Sequence, residues 1–297
     1  MTTSVVEDIA VQDVVYLKHD DIELLARIYT PLGAGPFPAV VELHGGAWSK
    51  FDRTRGEAVH VALAKAGFVV VAFDFRQGKH GAYPKSPADI NYGIRWLKAN
   101  AAKYKVDATR IGLSGNSSGG HLGMLVAMRP DDPRYASIPL PAGSPDVDAS
   151  VKCISMLWPV INPYGRYQHA KRLLATANPP EWASEVIGLH DNYWQTEHNM
   201  SEGSPTLILE RREKAALPPA LWVMATQDEV HNYHDPESEV PGSEADRFIH
   251  RYQEAGGAIE LAVYDAPMMF TTMHPTLPAS VSAMQKVVEF AQRHLGN

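Results

Sequence analysis

The chain of 297 residues is 45% hydrophobic and 21% charged, the ordinary mix of a globular protein with enough apolar side chains for a large core. Its net charge of −7 at pH 7 argues against nucleic acid or an anionic membrane surface as a partner. Since no uninterrupted apolar run of about 18 residues occurs, we expect no membrane span.

The N-terminus and the cysteine content indicate the compartment. Residues 1–11 carry no Lys or Arg and no apolar stretch, so they lack the pattern of a secretory signal. The single cysteine, Cys153, excludes an internal disulfide and is typical of a reducing compartment. We therefore predict a cytoplasmic protein that is either a monomer or a homodimer.

The order of the elements predicts the fold class. In chain order, the periodicity and turn residues predict a hairpin of strands 11–17 and 22–29, strand 39–43, helix 54–66, strand 68–73, helix 87–103, strand 111–114, helix 121–128, strands 151–157 and 221–225, helix 244–254, strand 258–264 and helix 278–294. Strands that alternate with helices are typical of a mostly parallel sheet. We predict an α/β fold with eight mostly parallel strands flanked by helices.

Residues 158–203 interrupt this alternation. They follow the carboxyl end of a strand, where ligands bind in open α/β sheets, and they are rich in aromatic side chains. We predict a small cap, inserted into a core domain of residues 1–157 and 204–297. Its aromatic rings either contact the substrate or pack the cap onto the core. The candidate substrate contacts, in the cap and the loops around it, are Trp48, Trp158, Tyr164, Tyr193, Trp194 and Met269.

A serine between two glycines is the centre of the predicted site. The sequence Gly115-x-Ser117-x-Gly119 lies between strand 111–114 and helix 121–128. This strand–turn–helix context is that of a nucleophile elbow, in which a tight turn exposes the serine hydroxyl above the sheet. A phosphate-binding turn and a plain loop are the alternatives. We predict that Ser117 is a nucleophile.

A serine nucleophile needs a base and a group that orients the base. Asp228 follows strand 221–225 and is the candidate for the orienting carboxylate, with a turn aspartate as the alternative. His274 is the only histidine between the last strand and the last helix, and we predict that it is the general base. The alternative is a hydrogen-bonded loop histidine near the start of a helix.

A second group of histidines could suggest a metal. His231, His234 and Asp235 form the sequence His-x-x-His-Asp. This segment lacks the helix on which a His-Glu-x-x-His zinc site presents its ligands. We therefore predict no metal and no cofactor.

Acyl transfer through a serine also needs donors for the oxyanion that forms. Gly45, Gly46 and Ala47 follow strand 39–43, and glycines let backbone N–H groups approach a substrate closely. We predict that these residues form an oxyanion hole together with the N–H group of Ser118. For the two glycines alone, a simple turn is the alternative.

Several of these short sequences carry a family resemblance. The pieces are His44-Gly45-Gly46-Ala47-Trp48, Asp74-Phe75-Arg76, Gly115-Asn116-Ser117-Ser118-Gly119-Gly120 and Asp228. The chain resembles α/β-hydrolases of the esterase/lipase group, namely the hormone-sensitive-lipase-like carboxylesterases and the related family with kynurenine formamidases and bacterial feruloyl esterases. The resemblance implies a triad of Ser117, His274 and Asp228 in the chain order of these enzymes. The departures from the family pattern are Asn116, Ser118, Ala47 and the His274-Pro275 context.

These features together predict a serine hydrolase that cleaves a small carboxylic ester through an acyl-enzyme. An amidase, an arylformamidase or a lactonase with the same triad stays open, because the sequence does not specify the leaving group. A non-catalytic binding module for a small ligand is the alternative from another functional class.

Overall fold

The computed structural model describes residues 3–6 and 8–296. Residues 1, 2, 7 and 297 lie outside the described residues, and the first three of these belong to the stretch that lacks a signal pattern. Within it, one sheet has nine strands: β1 (Thr3–Val6), β2 (Ile9–His19), β3 (Ile22–Pro31), β4 (Phe37–Leu43), β5 (Val69–Phe73), β6 (Val106–Asn116), β7 (Ile154–Leu157), β8 (Ala220–Gln227) and β9 (Ile259–Pro267). The spatial order is β1-β2-β3-β5-β4-β6-β7-β8-β9.

The sheet confirms the predicted class. The pairs β1–β2, β2–β3 and β3–β5 are antiparallel, and the five remaining pairs are parallel. The predicted hairpin is β2–β3, closed at His19 and Ile22. The sheet has nine strands and not eight, because the short β1 pairs with the outer edge of β2.

Helices cover both faces of the sheet. The ten α-helices in the described part of the chain are α1 (Glu57–Lys65), α2 (Lys85–Ala99), α3 (Ser118–Met128), α4 (Pro163–Leu174), α5 (Glu181–Trp194), α6 (Glu197–Glu202), α7 (Pro205–Glu210), α8 (Glu244–Glu254), α9 (Phe270–Met273) and α10 (Pro278–Leu295). One core lies between the sheet and α2, α3 and α8, and a second lies between the sheet and α1, α9 and α10. None of these helices is both long enough and apolar enough to cross a membrane.

The apolar run of β5 shows why its sequence folds in this way. Every residue of the strand is buried. Val69, Val71 and Phe73 pack into one core, whereas Val70 packs into the other. Because successive side chains of a strand point to opposite faces, a strand with helices on both sides must be apolar throughout.

The segment after β7 forms the helices α4, α5 and α6. α4 and α5 pack on each other through the buried side chains of Ala170, Ala183 and Val186. Trp48, in the loop after β4, stacks on Tyr193 of α5 with 5.5 Å between the ring centres. The division into a core of residues 1–157 and 204–297 and a cap of residues 158–203 stays a prediction.

Candidate active site

The turn between β6 and α3 presents Ser117. Its backbone has φ 49° and ψ −120°, a conformation that residues other than glycine rarely adopt. Gly119 allows α3 to approach the end of β4, since a Cβ atom there would lie 2.1 Å from the carbonyl oxygen of Leu43. The local geometry is therefore that of a nucleophile elbow.

The Ser117 hydroxyl is hydrogen-bonded to a histidine, which is in turn hydrogen-bonded to a carboxylate. Ser117 Oγ lies 2.9 Å from His231 Nε2. His231 Nδ1 lies 2.9 Å and 2.8 Å from the two carboxylate oxygens of Asp228. The protonated Nδ1 donates to the carboxylate, which leaves Nε2 free to accept from the serine hydroxyl. All three side chains are buried.

The prediction for His274 is wrong. It lies at the end of α9 and is exposed, and its carbonyl accepts a hydrogen bond from Ser280 Oγ. Met268 and Met269, which directly follow β9, line the cavity at Ser117 instead. Because α9 follows them and carries the chain onward, His274 contacts neither Ser117 nor Asp228.

Asp228 is held in its charged form. Burial alone raises the pKa of a carboxyl group, but the electrostatic interaction with His231 and the hydrogen bonds from its side chain and backbone outweigh this effect. The pKa of Asp228 therefore lies below its ordinary value. An ionised carboxylate at Nδ1 sets the imidazole tautomer and would stabilise the imidazolium.

The loop after β4 lies against the start of α3. Gly45, Gly46 and Ala47 line the same cavity as Ser117, and Gly46 and Ala47 have φ values of 111° and 48°. The N–H group of Trp48 donates to Ser118 Oγ at 3.1 Å and so fixes the loop to the helix. The N–H groups of Ala47 and Ser118 have no acceptor within residues 8–296. These are the donors that an oxyanion needs.

The buried side chain of His121 is hydrogen-bonded to this loop. Trp48 Nε1 donates to His121 Nδ1 at 3.2 Å, and His121 Nε2 donates to the carbonyl oxygen of Gly203 at 2.8 Å. Burial lowers the pKa of His121 to about 3, so the ring is neutral at physiological pH. His121 therefore connects the elbow helix, the loop and the segment after α6 without adding charge.

The cavity above Ser117 has a volume of about 220 Å³. Apolar side chains form much of its wall: Phe51, Trp158, Trp182, Val186, Met268 and Met269. Of the predicted substrate contacts, Trp158 and Met269 are in this wall. Such a volume is small for a ligand pocket and suits a small substrate.

The other predicted substrate contacts are wrong: Trp48, Tyr164, Tyr193 and Trp194 do not line the cavity. Trp48, Tyr193 and Trp194 pack on one another in a buried cluster, and Trp194 lies edge-on to Trp48. Tyr164 packs against the main core. Their rings join the inserted helices to the core, which was the alternative interpretation of the aromatic content.

Arg166 of α4 also lines the cavity and was not among the sequence candidates. The only signal for it in the sequence is a lone charge in the apolar and aromatic stretch of residues 158–167. His231 was considered only as a possible metal ligand, although its position after a strand was a usable signal.

The candidate metal ligands of the loop after β8, namely His231, His234 and Asp235, contact different partners. His234 Nδ1 lies 2.6 Å from the carbonyl oxygen of Gly242, and Asp235 pairs with Arg247. In the part of the chain that the structure describes, no three His, Cys, Asp or Glu side chains are grouped as metal ligands.

The fold and the Ser117–His231–Asp228 geometry define the class: this is an α/β-hydrolase fold with a site of the serine-hydrolase type. A sequence profile of the BD-FAE family matches residues 27–236, and the chain belongs to this family.

Individual proteins are similar over shorter stretches or at lower identity. Esterase LipC of Mycobacterium tuberculosis is 36% identical over 46% of this chain and 32% of its own. Carboxylesterase NlhH of the same species is 32% identical over 35% of this chain and 34% of its own, so each alignment spans about a third of the relative. The structure of EstE1, a thermophilic carboxylesterase from a metagenomic library, has a TM-score of 0.74 at 21% identity and covers 99% of this chain and 91% of its own.

Proposed function

We propose that the chain is a carboxylesterase-type serine hydrolase that cleaves a small carboxylic ester through an acyl-enzyme. The buried hydrogen-bonded line from Ser117 through His231 to Asp228 carries this proposal. The names of the relatives, an esterase and a carboxylesterase, support the same chemistry.

In the first half-reaction, Ser117 Oγ bonds to the ester carbonyl carbon while His231 Nε2 takes the hydroxyl proton. The carbonyl oxygen becomes an oxyanion, which accepts hydrogen bonds from the N–H groups of Ala47 and Ser118 and from the Gly45–Gly46 backbone. One such donor typically lowers the barrier by about 2.7–4 kcal/mol. The imidazolium, stabilised by Asp228, then gives its proton to the leaving alkoxide as the C–O bond breaks.

In the second half-reaction, a water molecule attacks the acyl-enzyme carbonyl. His231 takes one proton from the water, and the bond between Ser117 Oγ and the acyl carbon breaks. The proton returns to Ser117, so that ester and water are converted to acid and alcohol with the enzyme unchanged. The residues of the site need no cofactor for these steps.

Hydrolysis of a panel of p-nitrophenyl acyl esters of rising chain length tests the proposal, with aryl amides beside them. We expect turnover of short esters, because the cavity is small, and a loss of at least about 100-fold in Ser117→Ala. A serine-directed phosphonate should label the wild type and leave Ser117→Ala unlabelled. A loss in Ser117→Ala below about tenfold would overturn the scheme.

The setting of the enzyme is part of the proposal. The single cysteine, Cys153, is free and buried, which suits a reducing cytoplasm. The acidic net charge favours a small-molecule substrate over nucleic acid, for a monomer and a homodimer alike.

A further inference from the structure

Arg166 is a buried cation in the wall of the cavity that holds Ser117 and His231. It lies in the first turn of α4, and only 2% of the residue is exposed. Its guanidinium carbon lies 5.5 Å from the centre of the Trp48 ring, which is itself buried. A charge is thus positioned in a largely apolar wall beside the reacting serine.

No carboxylate among the described residues forms an ion pair with this guanidinium, although Asp228 is near enough to act on it electrostatically. The guanidinium makes no hydrogen bond or ion pair with any residue that the structure describes, and its Nε and Nη2 atoms are buried without an acceptor. Burial lowers the pKa of Arg166 to about 10, although the charge of Asp228 acts in the opposite direction, so the group is still charged at neutral pH. A buried charge without a partner destabilises the fold, so its presence at a site indicates an anion that binds there.

The other charged side chains in the wall of the cavity also favour the binding of an anion. Lys50, Arg55 and Arg166 bring three cationic side chains to the wall, and Glu185 brings one carboxylate, which pairs with Lys50. Lys50 and Arg55 come from the loop between β4 and α1, and Arg166 comes from α4, in a chain whose net charge is −7. The cavity therefore attracts anions even though the protein as a whole is acidic.

We propose that Arg166 binds a free carboxylate of the substrate, so that the enzyme favours esters that also carry a carboxylic acid. The inference deepens the proposed function and rests on it. A planar carboxylate can accept two parallel N–H bonds from one guanidinium, which makes Arg the side chain best suited to it. The small cavity then places the carboxylate and the ester carbonyl of one small molecule on Arg166 and Ser117.

Two matched pairs of esters test this inference. In the first pair, the carboxylate is on the acyl group: mono-p-nitrophenyl glutarate against p-nitrophenyl pentanoate. In the second, it is on the leaving group: 4-acetoxybenzoate against its methyl ester. In at least one pair, we expect the ratio of kcat/KM for the anionic to the neutral ester to fall about 10- to 100-fold in Arg166→Met, since hydrogen bonds to charged groups are strong. Arg166→Lys should retain part of the preference.

Arg172→Met is the matched control. Arg172 lies on the same helix and pairs with Asp235 at 3.5 Å, outside the cavity. This variant removes the same charge from α4, and both ratios should stay at their wild-type values. If Arg166→Met changes neither ratio, or if Arg172→Met changes them equally, the inference is overturned.

A binding measurement separates this inference from the proposed function. We would titrate Ser117→Ala with monomethyl glutarate and with dimethyl glutarate in a calorimeter, and repeat this in Ser117→Ala/Arg166→Met. Tighter binding of the monoanion that is lost with Arg166 supports the site even if no ester is hydrolysed. Hydrolysis of neutral esters without any Arg166-dependent preference would leave the proposed function and remove the anion site. Thermal unfolding checks the fold, and Arg166→Met should be at least as stable as the wild type because it removes an unpaired buried charge.

Discussion

Asp228 and His231 are three positions apart in the sequence, so the proposed acid and the proposed base belong to one turn. The backbone N–H of His231 donates to Asp228 Oδ1 at 3.1 Å, and the N–H of Asn232 donates to the Asp228 carbonyl at 3.0 Å. The Asn232 side chain donates to the Ala225 carbonyl at 2.6 Å and fixes this turn to β8. The end of β8, which Asp228 directly follows, therefore also fixes the orientation of the His231 imidazole.

At this scale the first prediction concerns the identity of the base. We expect His231→Ala to lower kcat for a short p-nitrophenyl ester by at least about 100-fold, the usual contribution of general acid–base catalysis. The kcat of His274→Ala should stay within about twofold of the wild-type value, because His274 is exposed and contacts neither Ser117 nor Asp228. Equal losses in the two variants, or a loss in His274→Ala alone, would return the role to His274.

The sequence predicted that Ser117 and Asp228 lie at one site, but it did not predict the histidine that lies between them. Both of those residues follow strands whose apolar runs are easy to recognise, and strand ends determine where a loop residue lies. The base was sought after the last strand, where His274 is the only histidine, but Met268 and Met269 take the places that line the cavity. Which of two loops reaches a serine depends on the path of the backbone, and the periodicity of a sequence carries no information on that path.

The first turn of α3, directly after the elbow, lies in close contact with the end of β4. An added Cβ at Gly119 would lie 2.1 Å from the Leu43 carbonyl oxygen and 2.4 Å from that of His44. Both contacts are with backbone atoms at the end of β4, so a rotamer change cannot relieve them. α3 would have to move away from the sheet and take Ser117 with it.

The second prediction compares two glycine-to-alanine substitutions within helices. Gly119→Ala should lower the free energy of unfolding by about 3 kcal/mol, the upper end of the usual cost of an overpacked core, and should abolish ester turnover. Gly188→Ala in α5 is the control, because a Cβ there would meet no atom within 4 Å. It should be neutral or more stable by about 0.5–1 kcal/mol, since alanine favours a helix. Urea unfolding of both variants measures the difference, and equal effects would contradict the close approach.

The elements themselves were largely predictable, and the segment after β7 was the exception. Strands such as β5 are short, continuous apolar runs, and such a run is typical of a strand that is buried on both faces. The helices α4 and α5 both carry aromatic residues, so composition alone did not separate rings that face the cavity from rings that face the core. Trp158 and Met269 line the cavity, whereas Tyr193 and Trp194 are buried against Trp48.

At the scale of the whole molecule, one buried polar cluster connects the inserted helices to the core. Asn162, the N-cap of α4, accepts from Gly165 N–H and from Ser204 Oγ, each at 2.9 Å. Its amide nitrogen donates to Glu244 of α8 at 3.0 Å. Glu244 is 2% exposed, and its carboxylate lies 3.3 Å from Arg247. The charge on Glu244 therefore affects how three parts of the chain are held together.

The third prediction is a pH dependence of stability. Burial raises the pKa of Glu244 to about 7, against an ordinary value near 4.5, although Arg247 and Asn162 act in the opposite direction. Between these values the folded chain holds a proton that the unfolded chain has lost, so stability must fall as the pH rises through this range. At about 1.4 kcal/mol for each pH unit, the loss attributable to Glu244 approaches about 3 kcal/mol at pH values above about 7.

Glu244→Gln removes this titration and keeps an oxygen that can accept from Asn162. Arg247 still pairs with Glu210 and Asp235 in the variant, so its own charge stays compensated. The variant should match the wild type at about pH 5 and be more stable by up to about 3 kcal/mol at about pH 8, as measured by urea unfolding at both values. Glu239→Gln is the control, because the Glu239 side chain is 91% exposed, and it should follow the wild type at both pH values. A constant difference between Glu244→Gln and the wild type across this range would mean that Glu244 is ionised in the folded protein throughout, and that the Asn162 cluster is held together by a buried ion pair with Arg247.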